Sequence, residues 1–537
     1  MKKLYNNNKG AVIPIVLITL VLASIFGTSL LFMVNNQTEF NIVDKRIKTA
    51  LEYAEAGYNK YLWHLNDDIN FYSIDPNSVV FNDENKKEQV IAKKLLKGEV
   101  IQFQDGFYQV NAEKPSDSDR FVNIKSTGWT KANPNTKRTI EIKLRKKQFV
   151  HHVYVSNDER EVWWSTGDES LGPLHTNKHI NIEKNPIFYD NVSYSGNLNV
   201  KSGSTPTYKV INPPQPEKTN TLNFPETNGD LRFWAEKDNM VFKGRTCIYL
   251  DGKNIKIRNG NDTKSQIKII PLSNIKNKVI YVDKEIGGGT DKWDVKSGNI
   301  FISGKLEGIL TIGAENSIYI THDDPTNWYD YDESKLKNQS YVVPMPPKTP
   351  PIKGGIEYLK TTFSMSDDKM TRTSKGKDIL GLVANNEIYI LHYGWPKQVD
   401  VYGDHWDFEW KWNNYKYQQW NGRRWVWIDD YRYGKSNYTY DVAPKDIIIH
   451  AALFSVKKGF GFEDYDKGTG KGNITLWGNI TQNTRLAVKQ GNTGYYKKYA
   501  HDPRMLYDYP PHILEPTNVG WEIHEWKETN NHLVEKP

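Results

Sequence analysis

Hydrophobic and polar positions divide the chain into three textures. The first is AVIPIVLITLVLASIFGTSLLFMV, Ala11 to Val34, an apolar and uncharged run preceded by Lys2, Lys3 and Lys9. A run of this length crosses a bilayer core of about 30 Å as a helix. A cleaved signal peptide has a shorter apolar region closed by small residues, whereas here the polar sequence that follows continues the helix. In EFNIVDKRIKTALEYAEAGYNKYLWHL the apolar positions Phe40, Val43, Ile47, Ala50, Ala54, Tyr58 and Tyr61 recur at helical spacing. The pattern predicts one helix from about Ala11 to His64, roughly 80 Å long at about 1.5 Å per residue.

Beyond Val150 the period changes. Short β-prone runs alternate with Gly, Asn and Asp turns: CIYLDGKNIKIRNGN from Cys247, KVIYVD from Lys278, SGNIFISGKLEGILTIGAENSIYI from Ser297 and NNEIYIL from Asn385. Such runs, with almost no helical pattern among them, fit a sandwich or stacked β-helix rungs. Rungs are the better fit, because the runs restart within a few residues, as a coil turning corners does. No clean period accompanies them.

One stretch departs from this texture. DHWDFEWKWNNYKYQQWNGRRWVWIDDYRY, Asp404 to Tyr433, concentrates aromatic rings between two hairpin signals, Asn413-Asn414 and Asn421-Gly422. Two-residue turns there predict a three-stranded meander in which Trp412 faces Tyr415, Trp410 faces Tyr417, Trp420 faces Arg423 and Gln418 faces Trp425. One face then carries Trp406, Phe408, Trp410, Trp412, Tyr415, Tyr417, Val426 and Ile428, a core-like surface. The other carries Asp407, Glu409, Lys411, Lys416, Gln418, Trp420, Arg423, Trp425 and Trp427. Three tryptophans among charges and amides suit the C–H faces and hydroxyl edges of a sugar chain, so Trp420, Trp425 and Trp427 are the candidate carbohydrate-binding residues. Packing of this face against another rung is the competing reading.

Composition narrows the classes. The chain has 537 residues, enough for at least two domains, and a net charge of +7 without a long basic run, so nucleic acid is not an expected partner. Mean hydropathy is low at -0.69 although Trp and Tyr are abundant, in keeping with a β-rich surface protein. Cys247 is the single cysteine, which excludes an intramolecular disulfide framework and a CxxC metal cluster; it is expected as a small buried hydrophobe.

The N-terminal residues carry a resemblance. A basic leader ending in Lys9-Gly10, an apolar helix starting at Ala11 and the AEAG segment Ala54 to Gly57 resemble type IV pilin-like proteins of the PilX/GspK minor-pilin type. GFYQV (Gly106 to Val110), FVNIKSTGW (Phe121 to Trp129) and TKRTIEIKL (Thr136 to Leu144) then look like a pilin strand set. The resemblance implies cleavage by a prepilin peptidase between Gly10 and Ala11, and partnership with the pilus assembly machinery. Major pilins have Glu at the fifth mature position; Ile15 stands here, as in GspK-type tip pilins. Pro14 falls in the first helical turn, where its missing N–H costs little.

GPLHTNKHINI (Gly172 to Ile182), GLVANNEIYI (Gly381 to Ile390), IIIHAALFSV (Ile447 to Val456) and the run from Gly472 to Met505 resemble a family of bacterial surface proteins with β-helical ectodomains. The combination of pilin-like start, aromatic richness and β-helix is also similar in architecture to the tāpirins, cellulose-adhering surface proteins.

Other chemistry is thinner. His175 and His179, four apart on a predicted strand, are too far separated to share a metal. DYDKGTGKGN, Asp464 to Asn473, looks like an acidic calcium loop but lacks the closing Glu and reads as a turn. Asp404, Asp407, Glu409, Asp429 and Asp430 could supply the carboxylate pair of a β-helix lyase or hydrolase, yet acidic residues beside Trp are common on solvated faces. No cofactor or metal is expected. The expectation is a mainly β, non-enzymatic, cell-surface protein. A leader (1–10), a transmembrane pilin-like helix (11–65) and a small α+β pilin-like domain (66–150) precede a parallel β-helix ectodomain (151–537) with an antiparallel aromatic insertion (395–440). It is expected in the membrane through Ala11 to Val34, and to bind polysaccharide or another extracellular surface; pilus assembly or tip capping without a ligand is the alternative.

Overall fold

The structure, a computed structural model, describes residues 12–68, 70–78, 86–115, 121–260, 267–330, 344–345, 352–393, 398–402, 405–408, 416–420, 423–429 and 441–529. The chain forms two units, 1–147 with 519–537, and 148–518. It is mainly β, as the alternation predicts.

In the first unit, helix α1 (Val12–Asp67) is continuous through both the apolar run and the amphipathic segment. From Ile13 to Val34 its side chains are exposed, and its apolar window is the one among the described residues long enough to cross a membrane. The hydroxyls in that stretch turn back on their own helix: Thr19 Oγ1 donates to Ile15 O at 2.7 Å, Ser24 Oγ to Leu20 O at 2.6 Å and Thr28 Oγ1 to Ser24 O at 2.8 Å. These three hydroxyls thus find their acceptors within the helix, as a segment lying in lipid requires.

The second half of α1 packs on an antiparallel sheet of β1 (Val100–Phe103), β2 (Gly106–Glu113), β3 (Val122–Thr130), β4 (Asn133–Lys146) and the C-terminal strand Trp521–Thr529. Approach is close because the residues at the crossing are small. A Cβ on Gly128 would stand 2.2 Å from Ala54 N, and Ser126 Oγ donates to Ala54 O at 2.7 Å. Ala54, Tyr61 and Leu65 of α1 share one core with Val110, Ile124, Ile140, Ile142 and Trp521. The expected boundary at 151–537 is therefore wrong at its far end. Trp521–Thr529 pairs with β4, from Trp521 opposite Lys146 to Thr529 opposite Thr139, so the ectodomain is inserted between two neighbouring strands of the small sheet. Nothing local to this strand names its partner.

The second unit is a parallel β-helix with three faces. Its interior is built from ladders of identically placed side chains, and one shows the whole coil: Ile280, Ile312, Leu382, Leu453, Ile480, Tyr154, Leu174 and Val192 follow one another in register across successive strands, every one of them buried. Asparagines stack at the corners, where amide-to-amide bonds replace the strand ladder. Asn316 Nδ2 donates to Asn299 Oδ1 at 2.6 Å, and Asn386 repeats the bond onto Asn316. Cys247 is buried, as expected.

The order of that ladder is not the order of the sequence. The chain enters at Tyr154–Asp158, coils through Leu174–Thr176 and Val192–Tyr194 to one end, and passes back through the helix Gly229–Lys237, an element the near-absence of helical pattern did not predict. It restarts at the opposite end with Val241–Lys243 and coils forward until it meets its own first strand. At this seam Ile480, Thr481, Gln482 and Thr484 pair with Tyr154, Val155, Ser156 and Asp158, and Lys498 to Ala500 pair with Glu169 to Leu171. The asparagine stack crosses it too, with Asn157 Nδ2 donating to Asn483 Oδ1 at 2.7 Å and Asn177 Nδ2 to Asn157 Oδ1 at 3.0 Å.

Beneath the seam the core becomes polar. Glu159 is fully buried and pairs with Arg485, 326 residues later. Tyr154 Oη donates to its Oε1 at 2.6 Å, Ser156 Oγ donates to the same oxygen, and Trp164 Nε1 donates to Oε2 at 3.3 Å. Burial opposes the charge on Arg485, but Glu159 outweighs it and holds the guanidinium firmly protonated. A pair of this kind need not add net stability, yet losing one member strands the other. Glu159→Ala is therefore expected to lower stability by about 3–5 kcal/mol, measured as the shift in urea midpoint, with the loss concentrated at the seam.

Candidate surface-binding site

The third face turns at Ile388–Ile390 and leaves the coil at Leu391–Tyr393, returning at Asp441. The neck of this insertion is tied by backbone and charge together. Tyr393 bridges Asp441, and Val442 N donates to His392 O at 2.8 Å. Lys471 Nζ donates to both Asp441 oxygens at 2.8 Å and to Ala443 O at 2.9 Å. Burial pushes the Asp441 carboxyl up, but His392 and Lys471 outweigh it and keep it below the usual carboxylate range. His392 is buried, its Nδ1 2.8 Å from Glu463 O, and Lys292 closes the other side by pairing with Glu463.

The insertion carries two antiparallel pairs among the described residues, Gln398–Tyr402 with His405–Phe408 and Lys416–Trp420 with Trp425–Asp429. Three points differ from the sequence reading. His405–Phe408 pairs with the strand before it, which the three-stranded meander did not include. Trp420 lies opposite Trp425, not Arg423, and Gln418 opposite Trp427, not Trp425. The connection thus spans 421–424 and moves the register by two. A shift of two keeps the alternation, so Trp420 and Trp425 remain on one surface and now meet directly. The turns Asn413-Asn414 and Asn421-Gly422, the residues Asp404, Glu409, Trp410, Lys411, Trp412, Tyr415 and Asp430, and the side chains of Trp406, Asp407, Phe408, Lys416, Tyr417, Gln418, Val426, Trp427, Ile428 and Asp429 lie outside what is described. The cleavage pair Gly10 and Ala11 does as well.

The Trp420 and Trp425 rings stand 5.9 Å apart, edge to face at 61°. They are 53% and 63% exposed, and Arg423 and Arg424 beside them are exposed too. Rings that keep more than half their area in water while touching each other are not filling a core.

A second aromatic cluster lies beneath a hairpin strap, Thr362–Met365 with Arg372–Lys375. Phe363 stacks on Trp477 at 4.7 Å and meets His450 at 4.8 Å. Its tip reaches the early rungs, where Lys369 pairs with Glu169 at 2.7 Å and Arg372 with Asp190 at 2.6 Å. Tyr358 N donates to His450 Nδ1 at 2.9 Å. Burial lowers the His450 pKa to about 4. His175 and His179 do not share a strand. His175 lies on Leu174–Thr176 against Ser193 Oγ at 2.9 Å, and His179 opens His179–Ile182 with its Nε2 2.9 Å from Arg160 O. Asp464 to Thr469 form a turn. Among the described residues no group of three His, Cys, Asp or Glu side chains is placed to hold a metal.

The sequence reading missed Glu159, Arg485, Lys497 and His450. One signal existed. In TGYYKKYAH, alternation from Tyr495 to Tyr499 puts Lys497 on the inward side, a polar residue at a core position.

No protein-family model and no curated protein matches the chain. Among solved structures it is similar to the competence-associated pilin ComZ from Thermus thermophilus, at 9% identity and a TM-score of 0.23, over 90% of this chain and 97% of that one. A likeness this loose places no residue.

Two outcomes follow from the neck and the strap. Asp441→Ala is expected to speed limited proteolysis within the insertion by about tenfold or more while the thermal unfolding of the β-helix moves little. His450 has a folded pKa of about 4 against about 6.5 unfolded, so its stabilisation is complete above pH 6.5 and about 3 kcal/mol of it is lost as pH falls toward 4. In His450→Gln the urea midpoint should fall less steeply over that range.

Proposed function

We propose that the chain is a non-enzymatic, membrane-anchored adhesin associated with type IV pili, which holds the Trp420–Trp425 pair toward insoluble polysaccharide such as cellulose. The observation that carries this reading is the exposed edge-to-face indole pair on a hairpin. Indole faces take the C–H faces of pyranose rings, while Arg423 and Arg424 offer donors to hydroxyls. The N-terminal pilin resemblance, the apolar half of α1 and the close packing of α1 on an antiparallel sheet support display at the cell surface. In this reading prepilin peptidase cuts between Gly10 and Ala11, and the apolar helix enters the membrane or a pilus.

A second reading is favoured by one observation. The apolar half of α1 is uncovered along its length, and such a helix packs against neighbouring helices as readily as against lipid. A minor pilin that primes or caps a pilus would need nothing more.

The test is retention of the full chain, held in detergent, on crystalline cellulose, xylan and chitin, beside a Trp420→Ala/Trp425→Ala variant with unchanged thermal unfolding. The adhesin reading expects retention that drops at least about tenfold in the variant, a loss of about 1.4 kcal/mol or more. Retention on none of the polymers, or equal retention of both proteins, overturns it and leaves the assembly role.

A further inference from the structure

The seam holds a second buried charged pair that adhesion does not require. On the strand Thr493–His501 the inward positions are Tyr495, Lys497 and Tyr499, and both tyrosines belong to the β-helix core. Lys497 Nζ lies 2.8 Å from Asp168 Oδ2, 329 residues earlier in the chain, with the two side chains only 11% and 12% exposed. The Ser165 N–H donates to that same carboxyl oxygen at 3.1 Å. The Trp164 ring centre lies 5.4 Å from Nζ, and its indole N–H donates to the neighbouring carboxylate, Glu159.

Lys497 is poorly provided for as an ammonium. Asp168 Oδ2 is its single oxygen partner, and a buried ammonium with unused donors is costly. Lys471, another closely held lysine, places its donors on three oxygens. Burial moves the Lys497 pKa down, toward the free amine, although Asp168 opposes the shift. The pairs at Lys48, Lys256 and Lys369 move the other way. The partner beside Lys497 is a carboxyl group with a backbone donor already on one oxygen.

We propose that Lys497 and Asp168 form an intramolecular amide cross-link that fastens the late rungs of the β-helix to the early ones. Proton transfer inside the pair turns ammonium and carboxylate into amine and carboxylic acid, removing two charges from a dry site. The amine nitrogen attacks Cγ and negative charge develops on Oδ1, while Oδ2, which holds the transferred proton and faces the Ser165 N–H, becomes the leaving oxygen. Collapse re-forms the carbonyl at Oδ1 and expels Oδ2 as water, which carries away the acid proton and one proton from the adjacent nitrogen. One C–N bond forms, one C–O bond breaks, and no oxidant, reductant or co-reactant is needed. The result is a covalent staple at the seam, where early and late rungs meet without a direct chain connection, in a protein whose lone cysteine cannot supply a disulfide.

The experiment is mass spectrometry of the full chain, denatured after purification in detergent. The cross-link predicts an intact mass lower than the sequence requires by one water, about 18 Da, after correction for any leader cleavage. It also predicts one branched tryptic peptide containing both Asp168 and Lys497. Asp168→Asn should give the same branched peptide with loss of ammonia, about 17 Da, and Asp168→Ala none. An unaltered mass in the wild-type chain, with Asp168 and Lys497 recovered only on separate peptides, overturns the proposal and leaves an ordinary buried ion pair; that result needs no variant to fold.

Discussion

The ectodomain depends on one join, the pairing of Tyr154–Asp158 with the end of Gly470–Thr484. A β-helix gains its stability from neighbouring rungs, each covering the apolar edge of the next. Here the two stacks of rungs are made by separate stretches of chain, and each would end in exposed isoleucine and tyrosine without the other. The core ladder that runs through Leu453, Ile480, Tyr154 and Leu174 passes over the join without interruption. Across it lie an asparagine stack, the Glu159–Arg485 pair and the hairpin strap. Closing contacts between residues more than 300 positions apart costs loop entropy before it returns packing energy. The buried charges then act as a register: an apolar rung can slide by a residue pair with modest loss, whereas Arg485 out of register with Glu159 is a stranded charge.

The join also decides what is displayed. The neck of the aromatic insertion is tied by Lys471, on the long strand whose far end forms the seam, and by Glu463, on the turn just before it. Rung and neck therefore share support. The small unit has its own logic, with Ala50 and Ala54 of α1 against Gly128 of β3 letting the helix sit on the sheet. Since the ectodomain leaves from β4 and returns to the strand beside it, it is held by two chain connections, a stronger tether than one.

Local physics in the sequence was sufficient for much of this. The uncharged run from Ala11 and the spacing of Ala50, Ala54 and Tyr61 specified α1, because helical periodicity is a nearest-neighbour property. The short strands after Val150 specified β structure, with stacked rungs a better fit than a sandwich, because strand propensity and turn residues are also local. What local pattern does not contain is partner choice. Nothing in YVSND says that it lies beside ITQNT, and nothing in WEIHEWKET says that it belongs to the first unit. The hairpin Lys416–Trp420 with Trp425–Asp429 was legible as a hairpin. Its register was not, since Asn421-Gly422 advertises a two-residue turn while the longer loop lets two indoles meet. Lys497 was visible as a polar residue in an inward position; its partner, from another rung, was not.

Hydrogen exchange of the full chain, read peptide by peptide, tests the closed coil most directly. If the early and late rungs form one structure, amides of 154–158 and 480–484 are protected alike, as slowly exchanging as the central strand Ile379–Ala384, and they open together as denaturant is added. Fast exchange at 480–484 with continued protection at Ile379–Ala384 would mean that the late rungs end in a free edge, and would contradict the account.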